Sequence, residues 1–290
     1  MKIIKPSVEF YGAVPTDYEG ALKFIEIAGR TCYKSEDRIT DTSAEGFVKK
    51  LIKAGHLAMV EHSNFVVRIQ KMDNFSELLQ GIVGKYLTVV NGREYTYVGG
   101  NLTAWIQAHD LNSSLKAGVF VPFAYGYGEL FDRSKRCAGS KLWQVCPHDE
   151  IPKELHRYSA KFICDRGVTH ELVRHRPCSF AQESTRYVNY GGKDMEFIEP
   201  AGYDEWRGTA QFQFRRICEH AEEAYNELLH IDLKPQQARA VLPNALKTEI
   251  VVTADVAEWA HIRKLRTHPS AHPDMVRVMN MMPWDFLESM

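Results

Sequence analysis

The sequence has little that would place it in a membrane or outside the cell. No stretch approaches the ~20 consecutive apolar residues of a membrane span, and the N-terminal MKIIKPSVEF lacks the apolar run of a signal peptide. The formal net charge is -1 over 290 residues, so no overall attraction draws the chain to nucleic acid or a membrane surface. We therefore expect a soluble, cytoplasmic protein whose affinity for anions comes from a local cluster of Arg and Lys.

Cysteine patterns are also sparse. None of the six cysteines forms a CxxC pair, and their separations suit neither a zinc site nor a disulfide framework. Reduced thiols in a cytosol are the expected state. The cysteines are Cys32, Cys137, Cys146, Cys164, Cys178 and Cys218.

What is present is an ordinary globular composition, 44% hydrophobic and 25% charged, with alternating helix and strand signals typical of an α/β protein. The region from about 71 to 157 differs in character. Its pattern predicts a hairpin around the two-residue turn Asn91-Gly92, a helix near 102–111 and an aromatic, glycine-bearing loop at 120–130. We interpret it as an insertion on one globular body that spans residues 1–290.

The remaining elements follow from periodicity and turn residues. Thr16 and Glu19 have capping-box spacing before an apolar helix, and Gly55 is placed to end a helix over 44–54. Residues 64–69 have the β-branched and aromatic content of a strand. Further strands are predicted at 161–164 and 248–253, and further helices at 168–173, 211–229, 234–241, 255–265 and 273–281.

One run of residues, 173–190, concentrates the candidate chemistry. It reads VRHRPCSFAQESTRYVNY and combines several arginines with hydroxyl and carboxamide side chains. Because Pro177 disfavours a continued helix, a polar loop is expected after the Arg-His-Arg triplet. Guanidinium groups, hydroxyls and loop N–H groups together suit a ligand that carries phosphate. For the triplet alone, a solvated basic loop is the simpler interpretation.

The full run resembles the signature of flavin-dependent thymidylate synthases, the ThyX family. In that signature Arg-His-Arg is followed by seven residues and then Ser. Here PCSFAQE separates Arg176 from Ser184, and Arg186 and Tyr187 follow at the family's positions.

Further segments resemble family elements in the right order. GHLAMVEHSNF contains a His and a Glu, His56 and Glu61, that match residues ahead of the family's first core strand. The segment 238–243 (ARAVLP) resembles its Ala-Arg-x-x-Leu-Pro element, and Leu265-Arg266 resembles its late Leu-Arg pair. The resemblance covers residues 16–70 and 159–290.

The resemblance implies methylation of dUMP to dTMP, with FAD as cofactor, NADPH as reductant and 5,10-methylenetetrahydrofolate as carbon donor. It implies a homotetramer of single ThyX-like α+β domains, each with helices packed on a mixed or antiparallel sheet. Arg266 would be the catalytic residue, facing uracil and stabilising negative charge on the ring. Arg239 would come from a neighbouring subunit. No metal and no cysteine nucleophile are implied, so Cys178 is expected to be dispensable.

The same resemblance assigns ligand contacts by position. The residues implied for dUMP are Glu171, Arg174, Gln182, Glu183, Ser184, Thr185, Arg186, Arg239 and Arg266. The residues implied for FAD are His56, Glu61, Arg174, His175, Arg176, Gln182, Asp255 and His261.

The sequence departs from the family at a few of these positions. Glu171 stands where the family usually has Gln, and a carboxylate would repel a phosphate, so we expect it to face the base or the ribose. Residues 255–257 (DVA) replace the common Asn-x-Arg, His261 replaces an Asn, and Ser270 stands where some members have His. Arg263 is a candidate substitute for the missing arginine. We expect the adenosine end of FAD to be held differently here.

Four competing hypotheses stay open. The scaffold could act on dCMP or deliver a hydroxymethyl group.

A metal-dependent hydrolase could use the His and Asp of HPSAHPD, although Pro269 and Pro273 break helical spacing and a loop or cap role is simpler. Cys178 near His175 could be a thiol nucleophile, although packed cysteines are commoner. A nucleic-acid-binding module could use a basic, aromatic face, although the balanced charge argues against it. That face would comprise Arg174, Arg176, Arg186, Arg215, Arg216, Arg263, Lys264 and Arg266 with Tyr187 and Tyr190.

Overall fold

The central strand of the main sheet, β10 (Lys247–Asp255), is buried along its length except at its last residue. The structure, a computed structural model, describes residues 1–71, 87–105 and 143–288, with the backbone alone for 143–145. In that part, β10 pairs antiparallel with β7 (Arg157–Asp165) and with β8 (Ser179–Gln182), and β2 (Ser7–Ala13) pairs with β7. The apolar run of β10, residues 250–252, is what a strand needs where it lies between two neighbours and is covered on both faces.

Helices cover both faces of this sheet, and side chains that alternate along β10 belong to the two separate cores. Val251 packs in a core with Ile25 and Val48 of the first two long helices. Ile250 packs in the other with Trp259 of a C-terminal helix. The helices are α1 (Tyr18–Tyr33), α2 (Ser43–Lys53), α3 (Leu57–Val60), α4 (Arg166–Leu172), α5 (Gly208–His230), α6 (Pro235–Ala238), α7 (Val256–Arg266) and α8 (Pro273–Met279). Short 3-10 helices lie at Glu36–Arg38, His148–Glu150, Lys153–Leu155, Tyr203–Glu205, Arg239–Val241 and Trp284–Leu287.

A second antiparallel sheet has the order β4-β5-β3-β6. Its strands are β3 (Phe65–Gln70), β4 (Thr88–Asn91), β5 (Tyr95–Gly100) and β6 (Trp143–Val145). Strands from the 71–157 region therefore extend a sheet that β3 begins. The predicted hairpin is confirmed as β4–β5, and Asn91 and Thr96 are its last paired residues within the strands. The Gly92 N–H also donates to the Tyr95 carbonyl at 2.9 Å, so the two-residue turn lies at 93–94 and not at Asn91-Gly92 as predicted.

Several predicted boundaries were wrong for local physical reasons. The cap of α1 is Asp17, whose Oδ1 accepts from the Gly20 N–H at 2.8 Å, and not Thr16. The helix predicted over 234–241 is a short α-helix followed by a 3-10 turn. Strand β1 (Lys2–Ile4), which pairs parallel with β9 (Glu196–Ile198), was not predicted because three residues are too few to show a period.

The predicted helices and strands are otherwise present with shifted ends, and the α+β class is confirmed. Residues 102–105 are helical. The rest of that predicted helix, the loop at 120–130 and Cys137 lie outside the described residues. The five cysteines in the described part are free thiols. No described helix is long and apolar enough to cross a membrane.

Candidate functional site

The Arg-His-Arg triplet lies in the turn between α4 and β8. The His175 N–H donates to the Leu172 carbonyl at 3.0 Å, and the Cys178 N–H donates to the His175 carbonyl at 3.0 Å, which continues the turn up to the start of β8. The polar loop expected after the triplet is therefore only partly right. Residues 179–182 form a strand instead, because their side chains alternate between buried and half-buried and their backbone pairs with β10.

Inside this turn, His175 is buried and contacts both ends of α7. Its Nδ1 lies 2.9 Å from the Glu258 carboxylate of α7, and its Nε2 accepts from the Arg266 Nε–H at 3.0 Å. Burial lowers the pKa of His175, and Arg266 adds to this, while the Glu258 hydrogen bond acts in the opposite direction. Because the Arg266 Nε–H donates to Nε2, that nitrogen carries a lone pair, and the proton of the neutral imidazole is on Nδ1.

Arg266 is in turn held by Glu171. Its Nη1 donates to Glu171 Oε2 at 2.6 Å and its Nη2 donates to the Glu171 carbonyl at 3.1 Å. The departure from the family at Glu171 thus has a local explanation, because its negative charge is compensated by Arg266 and is not left facing a ligand.

Three arginines of the motif have no such compensation. Arg174, Arg176 and Arg186 are exposed, and none forms an ion pair or donates a side-chain hydrogen bond within the described part of the chain. The guanidinium of Arg186 lies over the Tyr187 ring, 5.4 Å from its centroid. Guanidinium groups that the protein does not neutralise are suited to bind an anionic ligand.

The loop after β8 is fixed from outside the motif. The Ser184 N–H donates to the carbonyl of Cys32, at the end of α1, at 3.1 Å. Ser184 Oγ accepts from the Arg186 N–H at 3.3 Å. Thr185 Oγ1 accepts from Arg239 Nη1 at 3.2 Å within the same chain. The structure therefore brings Arg239 to the motif, whereas its contribution to a neighbouring subunit stays a prediction.

Gln182 and Glu183 are engaged in protein contacts. Gln182 Nε2 donates to Thr169 Oγ1 at 2.9 Å. Glu183, only 2% exposed, accepts from the Tyr190 hydroxyl at 2.7 Å and lies 3.5 Å from Lys247 Nζ. Their expected ligand contacts stay predictions, and Glu183 would have to rearrange to offer its carboxylate.

Sequence reasoning missed Tyr33, which connects His56 to the motif. The Tyr33 hydroxyl lies 2.6 Å from His56 Nδ1, and its ring is 5.6 Å from the Tyr187 ring. No sequence signal marks this contact, because Tyr33 is the last residue of an ordinary amphipathic helix. The result is a row of three rings next to Arg186, in which Tyr33 is half-buried and His56 and Tyr187 are exposed.

A cavity of about 140 Å³ adjoins the turn between α4 and β8. Its lining includes Pro177, Asp255 and Arg157 on one side and Gly99 and Gly100 of β5 on the other. Pockets that enclose a whole drug-sized ligand measure roughly 300–1,000 Å³, so this cavity has room for one part of a larger molecule.

Two residues of the cavity lining, Arg157 and Asn64, carry buried polar atoms without a hydrogen-bond partner in the described part of the chain. Arg157 is 9% exposed, and its Nε, like the Asn64 Oδ1, has no partner among the described residues. Asp255 caps α7 by accepting from the Glu258 N–H at 2.8 Å. Burial raises the pKa of Glu61, and Arg157 opposes the rise. Buried unpaired donors and acceptors fit a ligand that is itself rich in carbonyl and amide groups.

His175, Glu258 and His261 place their ligand atoms within 4.8 Å of one another. These residue types bind metals, but the hydrogen bonds that they form here oppose metal binding. A metal on Nδ1 would need the proton on Nε2, where the Arg266 Nε–H already donates. The cluster is therefore better explained as a hydrogen-bonded chain.

The residues that suggested a hydrolase or a thiol enzyme have local explanations, and so does one arginine of the proposed nucleic-acid-binding face. His272 caps α8 through Nδ1, and His268 Nδ1 lies 2.8 Å from Ser270 Oγ, which are the loop and cap roles considered simpler. Burial raises the pKa of the Cys178 thiol strongly, which opposes a thiolate nucleophile. In the basic face, Arg263 pairs with Glu288 at 3.1 Å.

Fold and site together define an α+β protein with an arginine-rich site suited to a phosphate-bearing ligand. The chain matches the family model Thy1, described as thymidylate synthase complementing protein, over residues 16–77 and 147–288. This match covers more than half of the chain, and the chain belongs to this family.

Individual relatives agree with the family match. The chain is 31% identical over 129 residues to a flavin-dependent thymidylate synthase of Pyrococcus furiosus, covering 44% of this chain and 51% of the relative. It is 35% identical over 101 residues to one of Geobacter sulfurreducens, covering 35% and 43%. A third, from Corynebacterium glutamicum, is 24% identical over 276 residues, covering 90% and 72%. The chain thus spans about half the length of the first of these relatives.

Proposed function

We propose that this protein is a flavin-dependent thymidylate synthase, which converts dUMP to dTMP with FAD, NADPH and 5,10-methylenetetrahydrofolate. The observation that carries the proposal is the set of exposed guanidinium groups of Arg174, Arg176 and Arg186, which have no ion-pair partner among the described residues and stand at the spacing of the family signature. The printed names of the relatives support the same reaction.

Arg186 and Ser184 bind the nucleotide phosphate in this proposal. Arg186 has no carboxylate partner in the described part of the chain, and the loop that carries it is anchored to α1 through Ser184. Anchoring lowers the cost of ordering the loop when the ligand binds. Arg239, next to Thr185, adds a further positive charge.

Arg266 acts on the base. Its guanidinium is oriented by acceptors on His175 and Glu171, so it does not have to reorganise when negative charge develops on uracil. Carbon C5 of uracil is a weak nucleophile, and stabilising anionic character in the ring raises its reactivity. Activation of uracil in this way needs no cysteine nucleophile.

FAD supplies the hydride chemistry, and the protein orients it. Arg174, His175 and Arg176 hold the cofactor in this proposal, while the cavity beside Asp255 takes one end of it. The unsatisfied Arg157 Nε in the cavity lining supports this fit.

We also propose a homotetramer. Exposed apolar side chains on α5, namely Phe212 and Ile217 at 60% and 55% exposure, support an interface on this helix. Sedimentation of the purified protein tests the assembly.

The first experiment is a visible absorption spectrum of the protein reconstituted with FAD, before and after addition of dUMP, followed by an assay for dTMP. We expect a bound-flavin spectrum that changes with dUMP and less with dCMP. A larger change with dCMP, or a hydroxymethylated product, would establish the alternative substrate or product. Salt-sensitive oligonucleotide binding without flavin binding would contradict the proposal and favour a nucleic-acid-binding protein.

A further inference from the structure

We propose that Glu258 is a positioning residue that fixes the tautomer of His175 and, through it, the orientation of Arg266. This inference rests on the proposed function, because it gives Arg266 its task. It adds to the site a residue on α7 that neither the motif spacing nor the family resemblance assigned.

The contacts form one continuous chain. Glu258 Oε1 lies 2.9 Å from His175 Nδ1, and His175 Nε2 lies 3.0 Å from Arg266 Nε. The side chains of Glu258 and His175 are only 12% and 5% exposed, so water competes poorly for these hydrogen bonds.

The direction of each hydrogen bond follows from the donors available. Arginine has no acceptor, so Arg266 Nε–H must donate and His175 Nε2 must carry a lone pair. The neutral imidazole then has its proton on Nδ1, and the Glu258 carboxylate is its acceptor. A carboxylate that orients an imidazole and selects its tautomer is a recurring catalytic device.

The consequence for Arg266 is a guanidinium fixed at three nitrogens. His175 accepts from Nε, and Glu171 accepts from Nη1 and Nη2. An arginine has five N–H donors, so two remain for a ligand within the described surroundings. If the imidazole took the other tautomer, its Nε2–H would oppose the Arg266 Nε–H, and the guanidinium would have to turn.

The test compares Glu258→Ala and Glu258→Gln with the wild type, in the FAD-loaded protein. The first readout is ¹⁵N NMR of histidine-labelled protein, with His175→Gln used to assign the signal. We expect a protonated Nδ1 and an unprotonated Nε2 in the wild type, loss of this state in Glu258→Ala, and its retention in Glu258→Gln, whose amide oxygen still accepts.

The second readout is steady-state turnover. We expect Glu258→Ala to lower kcat about tenfold or more, with unchanged affinities for FAD and dUMP, and Glu258→Gln to recover much of the loss. Glu227→Ala, at an exposed position of α5, is the matched control and should change neither readout.

A protonated Nε2 in the wild type, or an unchanged tautomer in Glu258→Ala, would overturn the inference. So would equal loss of flavin content and melting temperature in both Glu258 variants, which indicates a structural role. If the wild type makes no dTMP, the proposed function fails, yet the tautomer measurement still decides whether Glu258 controls His175.

Discussion

Two groups of basic side chains in this chain differ in their partners. Lys34, Lys161 and Lys247 all contact the carboxylate of Glu249, at 2.6, 2.8 and 2.6 Å. The exposed arginines of the motif contact no carboxylate within the described residues. The lysines are neutralised by a buried carboxylate, whereas the arginines have no such partner in the described part of the chain.

The comparison shows that the number of positive charges in a region does not identify a binding site. Paired charges in a buried cluster serve the fold, because either partner left alone would be costly. Unpaired guanidinium groups at the surface cost little in water and become useful when an anion arrives. Arg266 lies between these cases, because it is paired with Glu171 but keeps N–H donors for a ligand.

The largest effect is expected from breaking the lysine cluster. Glu249→Gln should lower the free energy of unfolding by about 3–5 kcal/mol at neutral pH, because it removes the buried carboxylate that Lys34, Lys161 and Lys247 share. Burial alone would raise the pKa of Glu249, but hydrogen bonds from Lys161, Lys247 and Lys34 lower it to about 2 from 4.5. Urea unfolding of both proteins measures the difference.

The pH dependence of that difference follows from the sign of the shift. A depressed pKa contributes stability that is fully present above about 4.5 and is lost as the pH falls towards about 2. The gap between wild type and Glu249→Gln should therefore shrink over this range. A gap independent of pH, or one also seen in the exposed Glu227→Gln, would mean that the carboxylate charge is not responsible.

The next largest effect is expected at Arg266. Arg266→Ala should lower turnover about 10²- to 10³-fold, as removal of one preorganised donor does, while bound flavin stays near the wild-type amount. Single-turnover kinetics and the visible spectrum separate the two. Loss of flavin in proportion to activity would mean that Arg266 has a structural role, like the lysines that contact Glu249.

Arg186 should show a smaller effect that is confined to binding. A hydrogen bond to a charged group contributes about 1.5–3 kcal/mol, so Arg186→Ala should weaken dUMP about ten- to hundredfold without lowering stability. Titration of the flavin spectrum with dUMP measures this. Arg93→Ala, at an exposed position between β4 and β5, is the control, and equal weakening in both would point to a general charge effect.

The smallest effect is expected at Cys178, which lies within the motif but is 7% exposed. Cys178→Ala should retain turnover and lose about 1 kcal/mol of stability, because burial raises the pKa of the thiol and keeps it protonated. Activity at saturating dUMP is the measurement. Complete loss of turnover in a folded variant would revive the thiol nucleophile.

Much of the framework could be predicted from the sequence. The apolar run in β10 and the periodicity of α1 and α5 depend on neighbours a few residues away, and such patterns are visible in one dimension. The strand β8 was missed because Pro177 and the polar side chains after it indicate a loop locally. These residues form a strand because their backbone pairs with β10, which is distant in sequence.

The sequence by itself determined the α+β class, the central strand and the spacing of arginines and hydroxyls from Arg174 to Arg186, because all of these are local. Only the tertiary structure decided which charges are compensated. Glu258 meets His175 across 83 positions and Arg266 meets Glu171 across 95. The physical reason is that contacts between distant segments depend on how the chain packs β10 and α7 against the turn after α4. No local sequence pattern encodes that packing.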